Sequence, residues 1–143
     1  MEIRSPQTEQ EWKDYYALRY EVLRKPWNQV LGSERDNLEE ISQHFAAFNE
    51  GKLWGVGRLD RVDEGTFQIR FMATHKDVRG MGVGRLLMVK MEQEAWDLGA
   101  SKIVLHAREI ALPFYEKLGY ELIKPSHLLF GEIQHHFMQK KKG

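Results

Sequence analysis

The sequence predicts an α/β protein (α+β in some classifications) whose mixed, mostly antiparallel sheet carries helices on both faces. Residues 44–74 contain runs of strand-forming residues separated by hairpin turn signals, which predicts neighbouring antiparallel strands. Residues 67–107 follow as strand, helix and strand, a βαβ unit that requires one parallel pair. The length of 143 residues suits one hydrophobic core, so we expect a single domain over residues 1–143.

The N-terminal half is predicted to hold a helix, a polar loop and three strands. The helix begins at the capping box Thr8-Glu9-Gln10-Glu11, and its apolar stripe consists of Trp12, Tyr15, Leu18 and Val22. Pro26 ends the helix, and residues 25–41 form a polar loop that has room for one short helix. The predicted strands are His44–Asn49, Leu53–Leu59 and Thr66–Thr74.

The C-terminal half continues with two helices and three strands. Apolar residues at every fourth position predict a helix over Arg85–Leu98, which Gly99 caps in a left-handed conformation. Ile103–Leu105 is a continuous apolar run, typical of a parallel strand covered on both faces. The remaining predicted elements are a helix at Ile110–Leu118, strands at Tyr120–Ile123 and Leu128–Met138, and a frayed tail at Lys140–Gly143.

Composition argues against several classes of protein. The chain has 21 basic and 21 acidic side chains, and this balance disfavours binding to nucleic acid or to an anionic membrane. It contains no cysteine, so disulfides, thiolate metal sites and a cysteine nucleophile are excluded. The adjacent His135 and His136 point to opposite faces of a strand, and we expect no metal site there. The first residues lack an apolar signal core, so we expect a cytoplasmic protein.

The glycine-rich turn at residues 79–84 is the strongest local feature. It follows a predicted strand and opens a helix, where free N–H groups and the helix dipole suit a phosphate. The Walker motif requires Gly-Lys-Ser/Thr, but Arg85 and Leu86 follow the last glycine. The dinucleotide motif fails as well, because Leu87 occupies the position of its third small residue. A nucleotide-binding fold is therefore not expected.

A different pattern fits this turn. Arg79-x-x-Gly82-x-Gly84, together with the preceding Met72–Arg79, resembles the signature of the GNAT superfamily of N-acetyltransferases. Ala111–Tyr120 resembles the second motif of the family. The resemblance covers residues 67–123, whereas residues 1–66 agree only in the order of their elements.

One branch of the family, the ElaA type, resembles two further segments. These are Arg19–Arg24 in the first helix and Gln134–His136 near the C-terminus. In that branch the second segment lies near the acceptor site. His44 and His135 each lie on a predicted strand, and we consider both as candidate functional residues.

The resemblance implies how acetyl-CoA is held. Phe67–Thr74 and Lys102–Ala107 would be the splayed parallel pair, with acetyl-CoA in the opening. The pantetheine arm would pair with the backbone of Met72 and Thr74, and an oxyanion would face an amide near Met72 or Ala73. The pyrophosphate would lie on the amides of Gly80 to Arg85. The implied cofactor-binding residues are Met72, Ala73, Thr74, Arg79, Gly80, Met81, Gly82, Val83, Gly84, Arg85 and Arg108, the last in place of a frequent asparagine.

The resemblance also suggests the catalytic groups. Tyr115 occupies the position of the general acid, and a phenol is protonated at neutral pH; the alternative is a half-buried aromatic beside Phe114 and Tyr120. The glutamate base of some relatives is replaced by Ile103. His106 is the candidate base, with a structural histidine as the alternative. Glu109 is a weaker candidate for the base.

The resemblance implies an N-acetyltransferase that moves an acetyl group from acetyl-CoA to a primary amine by direct attack in a ternary complex. The alternative is a non-catalytic acyl-CoA sensor or interaction module of the same fold. The acceptor, a small molecule or a peptide amine, is not specified by the sequence. The loop acids Glu34, Asp36, Glu39 and Glu40, near Trp27 and Arg35, could line a pocket for a cationic amine or be solvated surface. Homodimers are common in the family and compatible with this sequence.

Overall fold

The computed structural model describes residues 1–143. Three short 3-10 turns, at residues 25–27, 76–78 and 109–111, connect the main elements. In chain order, the strands and helices are β1 (Glu2–Arg4), α1 (Glu9–Leu23), β2 (Gln43–Asn49), β3 (Lys52–Arg61), β4 (Thr66–Thr74), α2 (Val83–Asp97), β5 (Lys102–Arg108), α3 (Leu112–Lys117), β6 (Glu121–Leu129) and β7 (Ile133–Lys141). No helix is both long enough and apolar enough to cross a lipid bilayer.

All seven strands join one sheet in the order β1-β2-β3-β4-β5-β7-β6. Every neighbouring pair is antiparallel except β4 and β5, which run parallel. The prediction of a mixed, mostly antiparallel sheet with one parallel pair is therefore confirmed.

The parallel pair is splayed. β4 and β5 are paired only from Thr66 to Gln68 and from Lys102 to Val104. Both strands continue beyond these positions, to Thr74 and Arg108, without pairing to each other. The last residues of the two strands therefore border an opening in the middle of the sheet.

Helices α1 and α2 cover opposite faces of the sheet. Ala46 and Ala47 are adjacent in β2, and each belongs to a different buried cluster, since side chains alternate between the faces of a strand. Tyr15 of α1 is buried in the cluster of Ala46, whereas Leu87 of α2 is buried in the larger cluster of Ala47. The predicted apolar stripes of both helices thus face the sheet.

The capping box of α1 forms with one altered bond. Thr8 Oγ1 accepts a hydrogen bond of 3.1 Å from the amide of Glu11, as predicted. The carboxylate of Glu11 accepts its shortest hydrogen bonds from the amide of Gln7 and from the guanidinium of Arg4. Arg4 thereby ties the short strand β1, which periodicity did not predict, to the first turn of α1.

The C-terminal predictions require three corrections. The predicted helix Ile110–Leu118 is a 3-10 turn followed by the shorter α3. The predicted strand Leu128–Met138 is the end of β6, a turn at residues 130–132 and most of β7. The tail is not frayed at Lys140, because Lys140 pairs with Ile103 in the sheet and its Nζ lies 2.9 Å from Glu92 Oε1.

Candidate active site

The opening between β4 and β5 is the mouth of a cavity of about 400 Å³, a volume within the range of small-molecule sites. Residues 68–72 of β4 and residues 105–108 of β5 form two of its walls. The rest of the lining includes Trp27 from the loop after α1, Tyr115 from α3, and residues of β6 and β7. The cavity therefore combines the splayed pair with segments that are distant in sequence.

A bulge in β4 shapes this wall. Val56 pairs with Ala73 and Arg58 pairs with Arg70, so Phe71 and Met72 together lie opposite Gly57. Phe71 takes a φ of +56°, a left-handed conformation that is uncommon for a bulky residue. A β-bulge bends its strand and redirects side chains. The bulge therefore accompanies the divergence of β4 from β5.

A glycine in crowded surroundings lies opposite the bulge. A Cβ on Gly57 would lie 2.7 Å from Met91 Cε and 2.8 Å from Met72 Sδ. Met91 is fully buried, so the space cannot open freely. Gly57 thus permits the close approach of β3, α2 and the bulged segment.

Part of the backbone of β4 has no strand to pair with. The amide of His75 donates to the carbonyl of Trp54 at 2.8 Å, and Thr74 lies opposite Gly55. Bonded and non-bonded pairs alternate along an antiparallel ladder. The peptide groups of Ala73 are therefore directed to β3, and those of Thr74 and Met72 to the edge that faces the opening.

The glycine turn exposes a set of unpaired amides at the start of α2. Gly80 and Gly82 have φ values of +81° and +86°, which glycine adopts without a Cβ penalty. Between residues 79 and 85 only the amide of Met81 donates within the protein backbone, to the carbonyl of Val78 at 3.0 Å. The amides of Gly82 to Arg85 thus have no acceptor, at the positive end of a 15-residue helix. This geometry suits an anion.

Tyr115 contributes a phenol to the cavity. Its ring packs edge to face on Phe114 at 4.9 Å and on Tyr120 at 5.9 Å, so the predicted aromatic cluster also exists. Burial raises the pKa of Tyr115 to about 12, against a smaller opposing effect of Arg108. The phenol therefore remains protonated at neutral pH and can act as a proton donor.

His106 lies in the same cavity, on β5. Its ring is 5.2 Å from the ring of His127 and 5.3 Å from that of Phe137. Burial lowers the pKa of His106, and His127, His135 and Arg70 add to this effect. Neutral imidazole is the form that accepts a proton, so the environment favours a base near pH 7.

The other candidates for the base lie elsewhere. Glu109 is largely exposed, 3.4 Å from His136 Nε2, and does not line the cavity. Ile103 is fully buried in the core. Arg108 lines the cavity with its guanidinium 5.9 Å from the ring of Trp27.

The structure separates His44 from His135. His135 lines the cavity and stacks on His127 with ring centroids 4.5 Å apart. His44 is buried under α1, where its Nδ1 lies 2.8 Å from the hydroxyl of Tyr15 and its Nε2 donates to the carbonyl of Glu39 at 2.7 Å. His44 therefore has a structural role, and the histidines form no group that could hold a metal ion.

Three of the four loop acids, Glu34, Asp36 and Glu39, are engaged in ion pairs, and Glu40 is exposed without one. Asp36 and Glu39 accept hydrogen bonds from Arg58 at 2.7 and 2.8 Å. Glu39 also accepts from Arg19 at 2.9 Å, and Arg70 lies 3.2 Å from Asp36. Hydrogen bonds from Arg58 and from a backbone amide outweigh burial and lower the pKa of Asp36 to about 2. These carboxylates neutralise arginines and are not available for an amine.

A second groove, wider and more open, lies beside α1 and the edge of β2. Its volume is about 1280 Å³ and it includes Asp36, Glu39 and Glu40. It contains neither the splayed pair nor the glycine turn. We therefore assign the candidate site to the smaller cavity, which is lined by Tyr115, His106 and Met72 of the open edge of β4. The glycine turn lies next to that edge, because Gly84 is close to the side chains of Thr74 and Phe114.

Among the basic residues of this cavity, sequence reasoning missed three as site residues: Arg24, Arg70 and His127. They come from the loop after α1, from β4 and from β6, outside the two family motifs or at positions that the motifs do not specify. No local pattern distinguishes these side chains from solvated charges. Only the sheet order, which places β7 between β5 and β6, brings His127 to His106.

Comparison with known proteins agrees with this geometry. Residues 7–142 match the model of the acetyltransferase (GNAT) domain family. The chain is 35% identical over 132 residues to the uncharacterized N-acetyltransferase YjcF of Bacillus subtilis (strain 168), covering 92% of this chain and 94% of that protein.

Two solved structures share the fold. One is an aminoglycoside 6'-N-acetyltransferase complexed with coenzyme A, with a TM-score of 0.82, 18% identity and coverage of 99% of this chain and 97% of that one. The other is Escherichia coli ElaA, with a TM-score of 0.75, 16% identity and coverage of 98% and 97%. At these identities the likeness is one of fold, and the ElaA branch remains a prediction. The splayed sheet, the glycine turn and the family match together show that the chain belongs to the GNAT acetyltransferase family.

Proposed function

We propose that the protein transfers an acetyl group from acetyl-CoA to a primary amine by direct attack in a ternary complex. One observation carries the proposal. The unpaired amides at the start of α2 lie beside Thr74 on the uncovered edge of β4, and that edge continues at Met72 into a cavity lined by a protonated phenol and a neutral imidazole.

The chain has groups for each part of acetyl-CoA. The amides of Gly80 and of Gly82 to Arg85 would hold the pyrophosphate, and the exposed Arg79 and Arg85 add positive charge nearby. The outward peptide groups of Met72 and Thr74 would bind the pantetheine arm as an added strand. The complex of the aminoglycoside 6'-N-acetyltransferase with coenzyme A supports this assignment through the shared fold.

The proposed chemistry is direct aminolysis of the thioester. The amine nitrogen attacks the carbonyl carbon and loses a proton to His106, while the carbonyl oxygen becomes an oxyanion near the Met72 amide. The Ala73 amide is directed to β3, so of the two predicted oxyanion donors Met72 is favoured. The carbon–sulfur bond then breaks, and Tyr115 gives its proton to the departing thiolate. The products are the acetylated amine and coenzyme A.

The proposal is tested by release of free thiol from acetyl-CoA with a panel of primary amines. Removing a general acid typically costs about 10²- to 10⁴-fold in rate. We expect Tyr115→Phe to lower kcat by about this factor and to change the KM for acetyl-CoA little. Tyr120→Phe is the matched control, because Tyr120 packs on Tyr115 but does not line the cavity.

The same assay separates the enzyme from the alternative function of a non-catalytic sensor. A sensor would bind acetyl-CoA, release no thiol with any amine, and be unaffected by Tyr115→Phe. Thiol release that depends on both the amine and the Tyr115 hydroxyl excludes the sensor.

A further inference from the structure

The fully charged side chains that line the candidate cavity are all positive. Three arginines from separate segments line it, Arg24 after α1, Arg70 in β4 and Arg108 at the end of β5, and no carboxylate does. The whole chain has equal numbers of acidic and basic residues. The cationic lining is therefore a local property of the cavity.

Two of these guanidiniums have no carboxylate partner. Arg108 makes neither a hydrogen bond nor an ion pair within the chain, and its contact is the ring of Trp27 at 5.9 Å. Arg24 donates only to backbone carbonyls, from Nε to Ser33 at 3.0 Å and from Nη1 to Leu23 at 2.9 Å. Both guanidiniums can therefore bind an external anion without breaking an ion pair within the chain.

The two guanidiniums converge on one pair of aromatic rings. Trp27, which Arg108 approaches, lies 6.5 Å from the ring of Phe130. The guanidinium of Arg24 is 5.4 Å from that same Phe130 ring. Arg24 and Arg108 thus approach the cavity from two segments but border the same aromatic pair.

Arg70 is only partly neutralised. Its Nη1 lies 3.2 Å from Asp36 Oδ2, and that carboxylate also accepts two shorter bonds, 2.7 and 3.0 Å, from Arg58. Asp36 is therefore shared between two guanidiniums, and the positive charge of Arg70 is not fully balanced.

The titration of neighbouring groups is consistent with an unbalanced positive potential. Burial, followed by the charges of Arg19 and Arg70, lowers the pKa of Arg24. Burial is also the main cause that lowers the pKa of His135, to which His127 and Arg108 add. An anion bound in the cavity would relieve this repulsion.

The rest of the lining is apolar. Leu23, Trp27, Phe71, Leu129 and Ile133 all border the cavity. An acceptor that fits this surface has an apolar body next to its charged group. A polyamine or another polycation would meet repulsion from the arginines and no carboxylate to bind.

We propose that the acetyl acceptor is a primary amine that also carries an oxyanion, a carboxylate or a phosphate, bound by Arg24 and Arg108. This inference rests on the proposed function, and it differs from the pocket for a cationic amine that was one of the two interpretations of the loop acids. Guanidinium groups bind such oxyanions through charge-assisted, often bidentate hydrogen bonds. The phosphates of acetyl-CoA are assigned to the glycine turn, so they do not account for these arginines.

Matched amines test the proposal. L-phenylalaninol carries a hydroxymethyl group in place of the carboxylate of L-phenylalanine, and ethanolamine carries a hydroxyl in place of the phosphate of O-phosphoethanolamine. Affinity of each amine for the complex of the protein with coenzyme A is measured by calorimetry, and turnover with acetyl-CoA by thiol release. Spermidine represents the cationic acceptors.

At least one anionic amine should bind more tightly than its neutral analogue, by about 10- to 100-fold, since hydrogen bonds to charged groups contribute about 1.5–3 kcal/mol. The preferred pair identifies the oxyanion as carboxylate or phosphate. Arg108→Gln and Arg24→Gln should each reduce this preference about tenfold or more. Arg61→Gln is the control, because Arg61 is exposed, lies outside the cavity and donates only to the carbonyl of Leu98.

Three outcomes would overturn the inference. They are equal binding of the anionic and neutral amines, tighter binding or faster turnover of spermidine, and a loss of coenzyme A affinity in Arg108→Gln with the amine preference unchanged. The first two leave the proposed acetyltransferase activity intact. Selective binding of an anionic amine without any thiol release would instead contradict the proposed function, and the bound amine would then be a ligand of Arg24 and Arg108 and not an acetyl acceptor.

Discussion

Arg58 provides a stringent test of how the loop after α1, which borders the candidate cavity, is held in place. It is fully buried in β3, and its guanidinium is shared by three carboxylates. Nη2 lies 2.7 Å from Asp60, and Nη1 lies 2.7 Å from Asp36 and 2.8 Å from Glu39. Burial opposes its charge, but the hydrogen bonds to Asp36 and Asp60 more than compensate and raise the pKa of Arg58.

Replacing Arg58 with glutamine leaves these carboxylates without their common cation. Removing one partner of a buried ion pair typically costs about 3–5 kcal/mol, so we expect Arg58→Gln to lower the free energy of unfolding by about that amount. Asp36 and Glu39 belong to the loop that also carries Arg24 and Trp27 to the cavity. We therefore expect the KM for the amine to rise more than the KM for acetyl-CoA.

Urea denaturation followed by circular dichroism gives the change in the free energy of unfolding. Arg61→Gln is again the control, because exposed substitutions usually change stability by less than about 0.5 kcal/mol. Arg58→Lys, which keeps the charge, should retain part of the stability. A loss below about 1 kcal/mol in Arg58→Gln would refute the account of Arg58 as the anchor of this loop.

Three further predictions follow from single residues. Gly82→Ala should lose about 1–2 kcal/mol of stability in urea denaturation, because φ is +86° while the space around a Cβ is open; an unchanged stability would contradict the left-handed turn. The carboxyl of Asp36 has a pKa of about 2 in the folded protein and an ordinary value of 3.8, so it contributes about 2 kcal/mol of stability above pH 4 that is lost as the pH falls toward 2. Unfolding in urea at stepwise lower pH should show this loss in the wild type and less of it in Asp36→Asn. Since the pKa of His106 is lowered from 6.5, kcat should fall only on the acid side of that value, and His106→Asn should remove this acid limb from the pH–rate profile.

Local sequence patterns were sufficient to predict the central strands and helices. The strand Thr66–Thr74 has the predicted bounds, and the residues of α2 at every fourth position are buried as predicted. Gly99 adopts a φ of +96° at the end of α2, which is the predicted left-handed cap. In these segments apolar periodicity, turn residues and packing all favour the same conformation.

Local patterns were insufficient where tertiary pairing decides the structure. β6 is exposed along most of its length, so it lacks the alternation of a half-covered strand, and its boundary with β7 was misplaced. β1 has three residues, too few to show a period. Lys140 resembles a solvated tail residue in sequence, but it lies in the sheet beside Glu92.

Local patterns likewise predict one part of the candidate site and not the other. The glycine turn and Tyr115 lie within two motifs and are identified by spacing. The positive charge of the candidate cavity is not identified in this way, because Arg24, Arg70 and Arg108 are far apart in sequence and line one surface only in the folded chain. Asp36 and Glu39 show the converse, since acids of an apparently solvated loop turn out to neutralise buried arginines.

The most direct measurement is a titration of the isotope-labelled protein with coenzyme A, followed through its backbone amide resonances. The account predicts that the largest shifts occur at the amides of Gly80 and Gly82 to Arg85, with further shifts at Met72 and Thr74 along the open edge of β4. No shift at millimolar coenzyme A, or shifts confined to the groove beside α1, would contradict it.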